Sequence, residues 1–323
     1  MPKLKLAMYW AAGCGGCDVS VLDIHERILK VAELADILFW PIALDFKYQD
    51  VEGYPDGHID VCFFNGAVRS SENEHLAQLL RKKSRVLVAY GSCSHLGGIP
   101  GLANFSSRRD LLQQVYQTSA STVNAEGTVP LEKHPTAFGE LTLPRLFHRV
   151  RTLDQVVPVD YYLPGCPPVT EQVWGAIEAI ATGKLPPPGS VIGATQTVLC
   201  DECPREKHEK RIREFKNLAT FIPDPNTCML EQGVVCCGPV TRGGCGARCA
   251  KGNMPCRGCY GPPDGVVDQG GKLLSAIASV IDAEDPAEID RIVATIQDPA
   301  GTFYRFSLPS SLLGGAHDQE SAR

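Results

Sequence analysis

Fourteen cysteines constrain this chain more than any other feature. Five stand in the first 199 residues: Cys14, Cys17, Cys62, Cys93 and Cys166. The other nine crowd into the 60 residues from Cys200 to Cys259. No apolar run approaches the ~20 residues a membrane span needs. The N-terminus lacks a charged-then-apolar signal pattern. The expectation is a cytoplasmic protein, in which thiols stay reduced, so the count argues for metal ligation rather than disulfides. A formal net charge of -6 excludes a nucleic-acid binder driven by phosphate neutralisation. At roughly 150 residues per domain, 323 residues suggest two domains, matching the two regimes of cysteine use.

Residues 1–185 read as an α/β domain. Strand patterns run over Leu4–Trp10, Ile37–Pro41, Ile59–Asn65, Val86–Tyr90 and Asp160–Leu163. A helix with Val21, Ile24, Ile28 and Val31 on one face follows the first strand, and further helices are expected over Glu72–Lys83 and Thr170–Thr182. Strands alternating with helices predict a doubly wound parallel sheet. Gly101–Arg149 carries few signals and reads as a long excursion. Lys184–Ser190 (KLPPPGS) reads as a stiff linker.

Residues 186–323 read as a smaller, cysteine-rich domain. Arg205–Lys216 (REKHEKRIREFK) reads as the solvated face of a helix. Cys228–Pro263 is full of Gly, Pro and Cys, and cannot make an apolar core alone, so metal ligation would supply folding energy. Helix patterns return at Leu273–Ile281 and Pro286–Ile296, and are expected to pack on the cysteine-rich part or a partner.

Cys14, Cys17, Cys93 and Cys166 each follow a predicted strand. In a doubly wound sheet, ligands gather at the carboxyl ends of strands, so these four thiols should converge on one edge. They could hold zinc or an iron–sulfur cluster. The Cys14–Cys17 pair alone could be a redox dithiol, but that leaves Cys93 and Cys166 unexplained. Cys62, inside an apolar strand, reads as a buried free thiol. The second set comprises Cys200, Cys203, Cys228, the adjacent Cys236 and Cys237, Cys245, Cys249, Cys256 and Cys259. One of the adjacent pair should be spare, leaving two sites of four, suited to iron–sulfur clusters or to zinc ribbons. The eight His residues do not cluster and read as structural or surface groups. Trp10, Phe39 and Trp40 read first as core packing, with an interface as the other possibility.

The motifs Trp10-Ala-Ala-Gly-Cys14-Gly-Gly-Cys17, Gly91-Ser-Cys93, Pro164-Gly-Cys166-Pro-Pro168, Cys236-Cys-Gly-Pro-Val-Thr241, Gly244-Cys-Gly-Ala247 and Pro255-Cys-Arg-Gly-Cys259 occur in this order. Together they resemble the small subunit of nickel–iron hydrogenases, from residue 4 to about 263. Within these, the chain resembles the cytoplasmic, methyl-viologen-reducing and F420-non-reducing group, in the superfamily of the complex I 20 kDa subunit. The resemblance implies a flavodoxin-like domain and a cysteine-rich iron–sulfur domain, with three 4Fe–4S clusters. It places Cys14, Cys17, Cys93 and Cys166 on a proximal cluster. Cys200, Cys203, Cys228 and Cys236 fall on a distal one, and Cys245, Cys249, Cys256 and Cys259 on a medial one. Cys236 rather than Cys237 is taken from the family's Cys-x-Gly-Pro spacing.

The resemblance further implies electron transfer from a nickel–iron site on a large subunit to an iron–sulfur adaptor, or to a heterodisulfide reductase-like acceptor. No catalytic residue is expected on this chain. Rival readings are a small subunit of an F420-, NADP- or sulfur-reducing hydrogenase, a non-hydrogenase electron-transfer subunit, and a zinc scaffold. The complex I relatives hold one cluster, carry an adjacent cysteine pair in the first motif and lack the cysteine-rich domain.

Overall fold

The computed structural model describes residues 3–315. Its strands are β1 (Leu4–Trp10), β2 (Ala35–Phe39), β3 (Ile59–Asn65), β4 (Val68–Ser70), β5 (Ser84–Tyr90), β6 (Lys133–Thr136), β7 (Gly139–Thr142), β8 (Leu146–Arg151) and β9 (Tyr161–Leu163). Five of them form a sheet in the order β2-β1-β3-β5-β9, every neighbouring pair parallel. The chain steps outward from β1 to β2, then returns to β3 on the other side. This is the flavodoxin-like order, with its topological switch between β1 and β3.

Both faces of this sheet are covered, as a parallel sheet requires. Leu6, Met8, Val61, Phe63 and Val88 face one apolar cluster, with Val21 and Ile24 around helix α1 (Gly16–Leu22), Val31 of α2 (Arg27–Leu34), and later Val173 and Ile177. Ala7, Tyr9, Cys62, Phe64 and Leu87 face the other, with Val51 of α3 (Tyr48–Gly53) and Leu76 and Leu80 of α4 (Ser71–Lys83). Helix α4 starts where Ser70 Oγ accepts from the Asn73 N–H, and carries Arg81, Lys82 and Lys83 in its last turn, which favours both ends. Cys62 is fully buried.

The single helix expected through Val21 and Val31 is two, because His25 adopts a left-handed φ of 58° between them. Val21, Ile24 and Val31 are nonetheless buried on one side. Helix α5 (Ser92–Leu96) precedes the excursion, which holds α6 (Arg108–Gln113) near its start, the exposed β6–β7 hairpin, and most of β8, which pairs antiparallel with β4. Helix α7 (Thr170–Ala181) follows β9. The Pro-rich stretch after it is not a free spacer. The Tyr162 N–H donates to Ser190 O (3.1 Å) and the Ile192 N–H to Tyr162 O (2.8 Å), pinning the chain along β9.

The cysteine-rich region has little regular structure: α8 (Leu199–Glu202), a 3-10 turn at Gly238–Val240 and α9 (Arg248–Lys251). Its core is borrowed. Leu273 and Ile277 of α10 (Gln269–Ala278), Ile292 of α11 (Pro286–Val293) and Phe303 of α12 (Pro299–Phe303) pack with Leu199, Leu230, Val240 and Cys256. Arg205–Lys216 is not a helix. Ile212 pairs instead with Ile281: its N–H donates to Val280 O (2.8 Å), and its carbonyl accepts from Asp282 (2.9 Å). Burial of Ile212 and Phe215 in the borrowed core overrides the helical pattern of charges. Among the described residues, no helix is long and apolar enough to cross a membrane.

Candidate metal centres

The carboxyl ends of β1, β5 and β9 deliver four thiols to one place. Cys14, Cys17, Cys93 and Cys166 line a single cavity at this sheet edge, with Gly13, Gly15 and Gly66 among its walls. Burial pushes the Cys93 thiol up to about 12, and the neighbouring Cys166 and Cys14 thiols push it the same way. Cys17 is raised by burial first, then by Cys93, Cys166, Asp18 and Cys14. Cys14 and Cys166 are exposed and Cys93 is buried.

Gly91 makes the fit possible. Its φ of 84° suits glycine, and a Cβ there would stand 2.4 Å from Cys17 Sγ. The buried Asp18 accepts from Trp40 Nε1 (2.8 Å) and Asn65 Nδ2 (3.0 Å), fastening the start of α1 to the ends of β2 and β3. Burial raises the Asp18 carboxyl pKa. Asp18 thereby positions the Cys14–Cys17 loop, a role with no local sequence signal. Phe39 and Trp40 are core residues, whereas Trp10 is 40% exposed, and its ring lies against Gly13 and Gly15.

A second cavity, of about 280 Å³, is lined by Cys200, Cys203, Cys228, Cys236 and Cys256 together with Leu199, Met229 and Leu230. Its wall is mostly apolar, apart from Arg205, Lys207 and Lys210. Burial raises the Cys200 thiol to about 11, the Cys228 and Cys203 thiols adding to it. Burial raises Cys236 to about 12, opposed by backbone N–H groups. One of these is the Cys256 N–H, 3.3 Å from Cys236 Sγ. Gly238 packs against the same sulfurs: a Cβ there would lie 3.1 Å from Cys200 Sγ and 3.6 Å from Cys236 Sγ. Cys237 is not on the cavity wall. It is buried in the borrowed core, and its N–H donates to Cys256 O (2.9 Å).

The remaining four thiols share no single cavity: Cys256 stands on the wall of the second one, and Cys245 on a separate recess beside Gly193 and Gly244. Burial raises Cys259, with Cys166, Cys249 and Cys245 adding to the shift. Cys256 is raised by burial and then by Cys236, Cys237 and Cys259. Cys249 is exposed. Of these four, Cys259 is influenced by a sheet-edge thiol, and Cys256 belongs to the wall of the second cavity. Ser92 Oγ, beside Cys93, lies within hydrogen-bond distance of both Gly165 O (2.8 Å) and Cys259 O (2.6 Å), joining the two regions. Gln172 of α7 joins them again, accepting from Tyr260 OH.

Sulfur-only donor sets suit iron–sulfur clusters or zinc. Among the described residues, no three His, Cys, Asp or Glu side chains close round a point fit for one metal ion. The thiols stand instead around cavities. Amide N–H groups aimed at Cys236, Cys245 and Cys256 stabilise bound thiolate.

Residues 14–180 match the family of the NADH ubiquinone oxidoreductase 20 kDa subunit. That match ends before the cysteine-rich region begins. The F420-non-reducing hydrogenase iron-sulfur subunit of Archaeoglobus profundus is 40% identical over 96% of this chain and 98% of its own. An F420-non-reducing hydrogenase subunit of Methanothermobacter thermautotrophicus is 37% identical over 96% of each chain. This chain belongs to the hydrogenase small-subunit family. The cysteine-rich region is therefore shared with hydrogenase subunits and lies outside the 20 kDa match. A NiFeSe hydrogenase chain of Dm. baculatum shares the fold, at a TM-score of 0.51 and 18% identity, over 82% of this chain and 96% of that one.

Proposed function

We propose that this small subunit carries electrons between a nickel–iron site on a large subunit and an acceptor subunit, through three 4Fe–4S clusters. Cys14, Cys17, Cys93 and Cys166 would hold the proximal cluster, Cys245, Cys249, Cys256 and Cys259 the medial one, and Cys200, Cys203, Cys228 and Cys236 the distal one. The observation that carries this reading is the unbroken succession of thiols. The Cys259 carbonyl accepts from Ser92, beside Cys93 of the sheet edge (2.6 Å), and the Cys256 N–H stands 3.3 Å from Cys236 Sγ on the second cavity. A redox relay needs closely spaced carriers; separate structural zinc sites do not. We take residues 1–185 and 186–323 as the two domains, one bearing the proximal cluster and the other the remaining two.

When bound, the clusters supply one-electron storage in series. The chain's own residues set their surroundings. Leu199, Met229 and Leu230 exclude water from the distal cavity. N–H groups on Cys236, Cys245 and Cys256 favour the more negative state of whatever sulfur they touch. The exposed Cys14 and Cys166, with Trp10 beside them, mark the face the large subunit would cover. The acceptor, an iron–sulfur adaptor or heterodisulfide reductase-like subunit by family resemblance, would dock near the distal cavity. A cytoplasmic setting suits both.

Anaerobic purification with its neighbouring subunits, followed by metal analysis, tests this. Three clusters of four predict about twelve irons per copy of this chain, with nickel only when a large subunit co-purifies. Zinc without iron would overturn the reading.

A further inference from the structure

Arg205 is out of place for a residue in a charged run. It is 4% exposed and stands on the wall of the distal cavity, two residues beyond Cys203. An arginine has five N–H donors. Its Nη1 donates to Asp224 O (2.7 Å) and Thr227 O (2.8 Å). Its Nη2 donates to Ala250 O (3.1 Å) and Asn253 Oδ1 (2.7 Å). The Nε–H is buried and has no partner. None of the four acceptors is a carboxylate; the exposed Asp224 carboxylate is the anion that feels the guanidinium, without forming an ion pair with it, so much of the buried charge is left for something anionic on the cavity side to neutralise.

We infer that Arg205 is a positioning residue for the distal cluster, directing its free Nε–H to the sulfur held by Cys200, Cys203, Cys228 and Cys236 and raising that group's potential. The inference rests on the distal assignment proposed above. The four bonds already made tie together the loop leading into Cys228 and the loop between Cys249 and Cys256. Asn253, which meets the guanidinium, is itself held in a left-handed conformation, at φ 57°. The fork therefore fixes where the fifth donor points. Thiolates and sulfides supply the acceptor that the Nε–H lacks and negative charge on the cavity side of the guanidinium. A donor and a buried cation stabilise the more negative, reduced form, hence the upward shift in potential. Lys207 and Lys210 also line the cavity, but Lys207 is exposed and Lys210 half-buried, so solvent screens their charges more than that of Arg205.

The test uses the intact hydrogenase complex. Cys200→Ser first identifies the distal signal in the electron paramagnetic resonance spectrum. If no cluster signal changes, the distal assignment itself fails, and this inference with it. Protein grown on arginine carrying 15N at Nε should show a 15N coupling in the reduced distal cluster, with no mutation needed. Arg205 is the one arginine on the cavity wall among the described residues. Arg205→Lys, which keeps the charge, should abolish the coupling. Arg205→Gln should lower the distal potential by at least about 59 mV, the one-electron equivalent of tenfold, with the lysine variant in between. A purely structural strut would move neither readout. A distal cluster present in the unmodified protein but without the coupling overturns the inference, whatever the variants do. So does a glutamine variant that keeps its cluster at an unchanged potential.

Discussion

Cys93 sits three residues past a parallel strand buried on both faces. Cys228 sits in a stretch from Cys203 to Cys237 that contains no helix or strand. The sheet region holds its thiols on elements with two apolar clusters of their own, so its cavity exists whether or not metal fills it. The cysteine-rich region has one core, and much of it arrives from helices α10 to α12, far along the chain. A thiol placed by a strand end depends on sheet packing. One placed by a loop depends on whatever the loop wraps, and metal coordination is a direct source of that order.

Iron removal should separate the two regions most strongly. Treating the anaerobic protein with a chelator should make the stretch between Cys203 and Cys237 cleave at least roughly tenfold faster with trypsin, since local opening governs proteolysis. A fragment carrying the sheet should persist. Simultaneous loss of both, or earlier loss of the sheet, would break the comparison.

The same small substitution in each region sharpens it further. At Gly91 an alanine meets a backbone conformation costing about 1–3 kcal/mol for residues other than glycine, and its Cβ would stand 2.4 Å from Cys17 Sγ. Gly91→Ala should lose the proximal cluster's iron, about four atoms, while far-ultraviolet circular dichroism retains the sheet. At Gly238 the contact is 3.1 Å, and the loop around it can yield by tenths of an ångström. Gly238→Ala should keep its iron and alter only the line shape of the distal signal. Equal iron loss in the two variants would mean that the loop site is as rigid as the sheet site.

What the sequence made legible follows the same division. β1 and β3 are found at the predicted residues, because alternating packing on two faces leaves a continuous apolar run. The convergence of Cys14, Cys17, Cys93 and Cys166 followed from their places after strands. Three features were not legible. The break at His25 interrupts a periodicity that remains helical on either side. Asp18 meets partners 22 and 47 residues away, and Arg205 meets partners 19 to 48 residues away, so neither has a local pattern. Irregular structure, built from contacts distant in sequence, hides its organisers. In the charged run, composition pointed to solvent while tertiary contacts buried Arg205, Ile212 and Phe215.

The smallest expected effect concerns the adjacent pair, where one position faces the cavity and the next faces the core. Cys236 lines the distal cavity and accepts from the Cys256 N–H. Cys237 packs among Leu230, Val240 and Ile277 and is off the cavity wall, so it acts as a small apolar filler. Cys237→Ser should leave the distal signal unchanged and lower stability by about 1 kcal/mol, because a hydroxyl is less at home there than a thiol. Cys236→Ser should remove the distal signal. The two spectra and one denaturation midpoint decide the matter. Loss of the signal in the Cys237 variant alone would place the ligand one residue later and turn the filler into the holder.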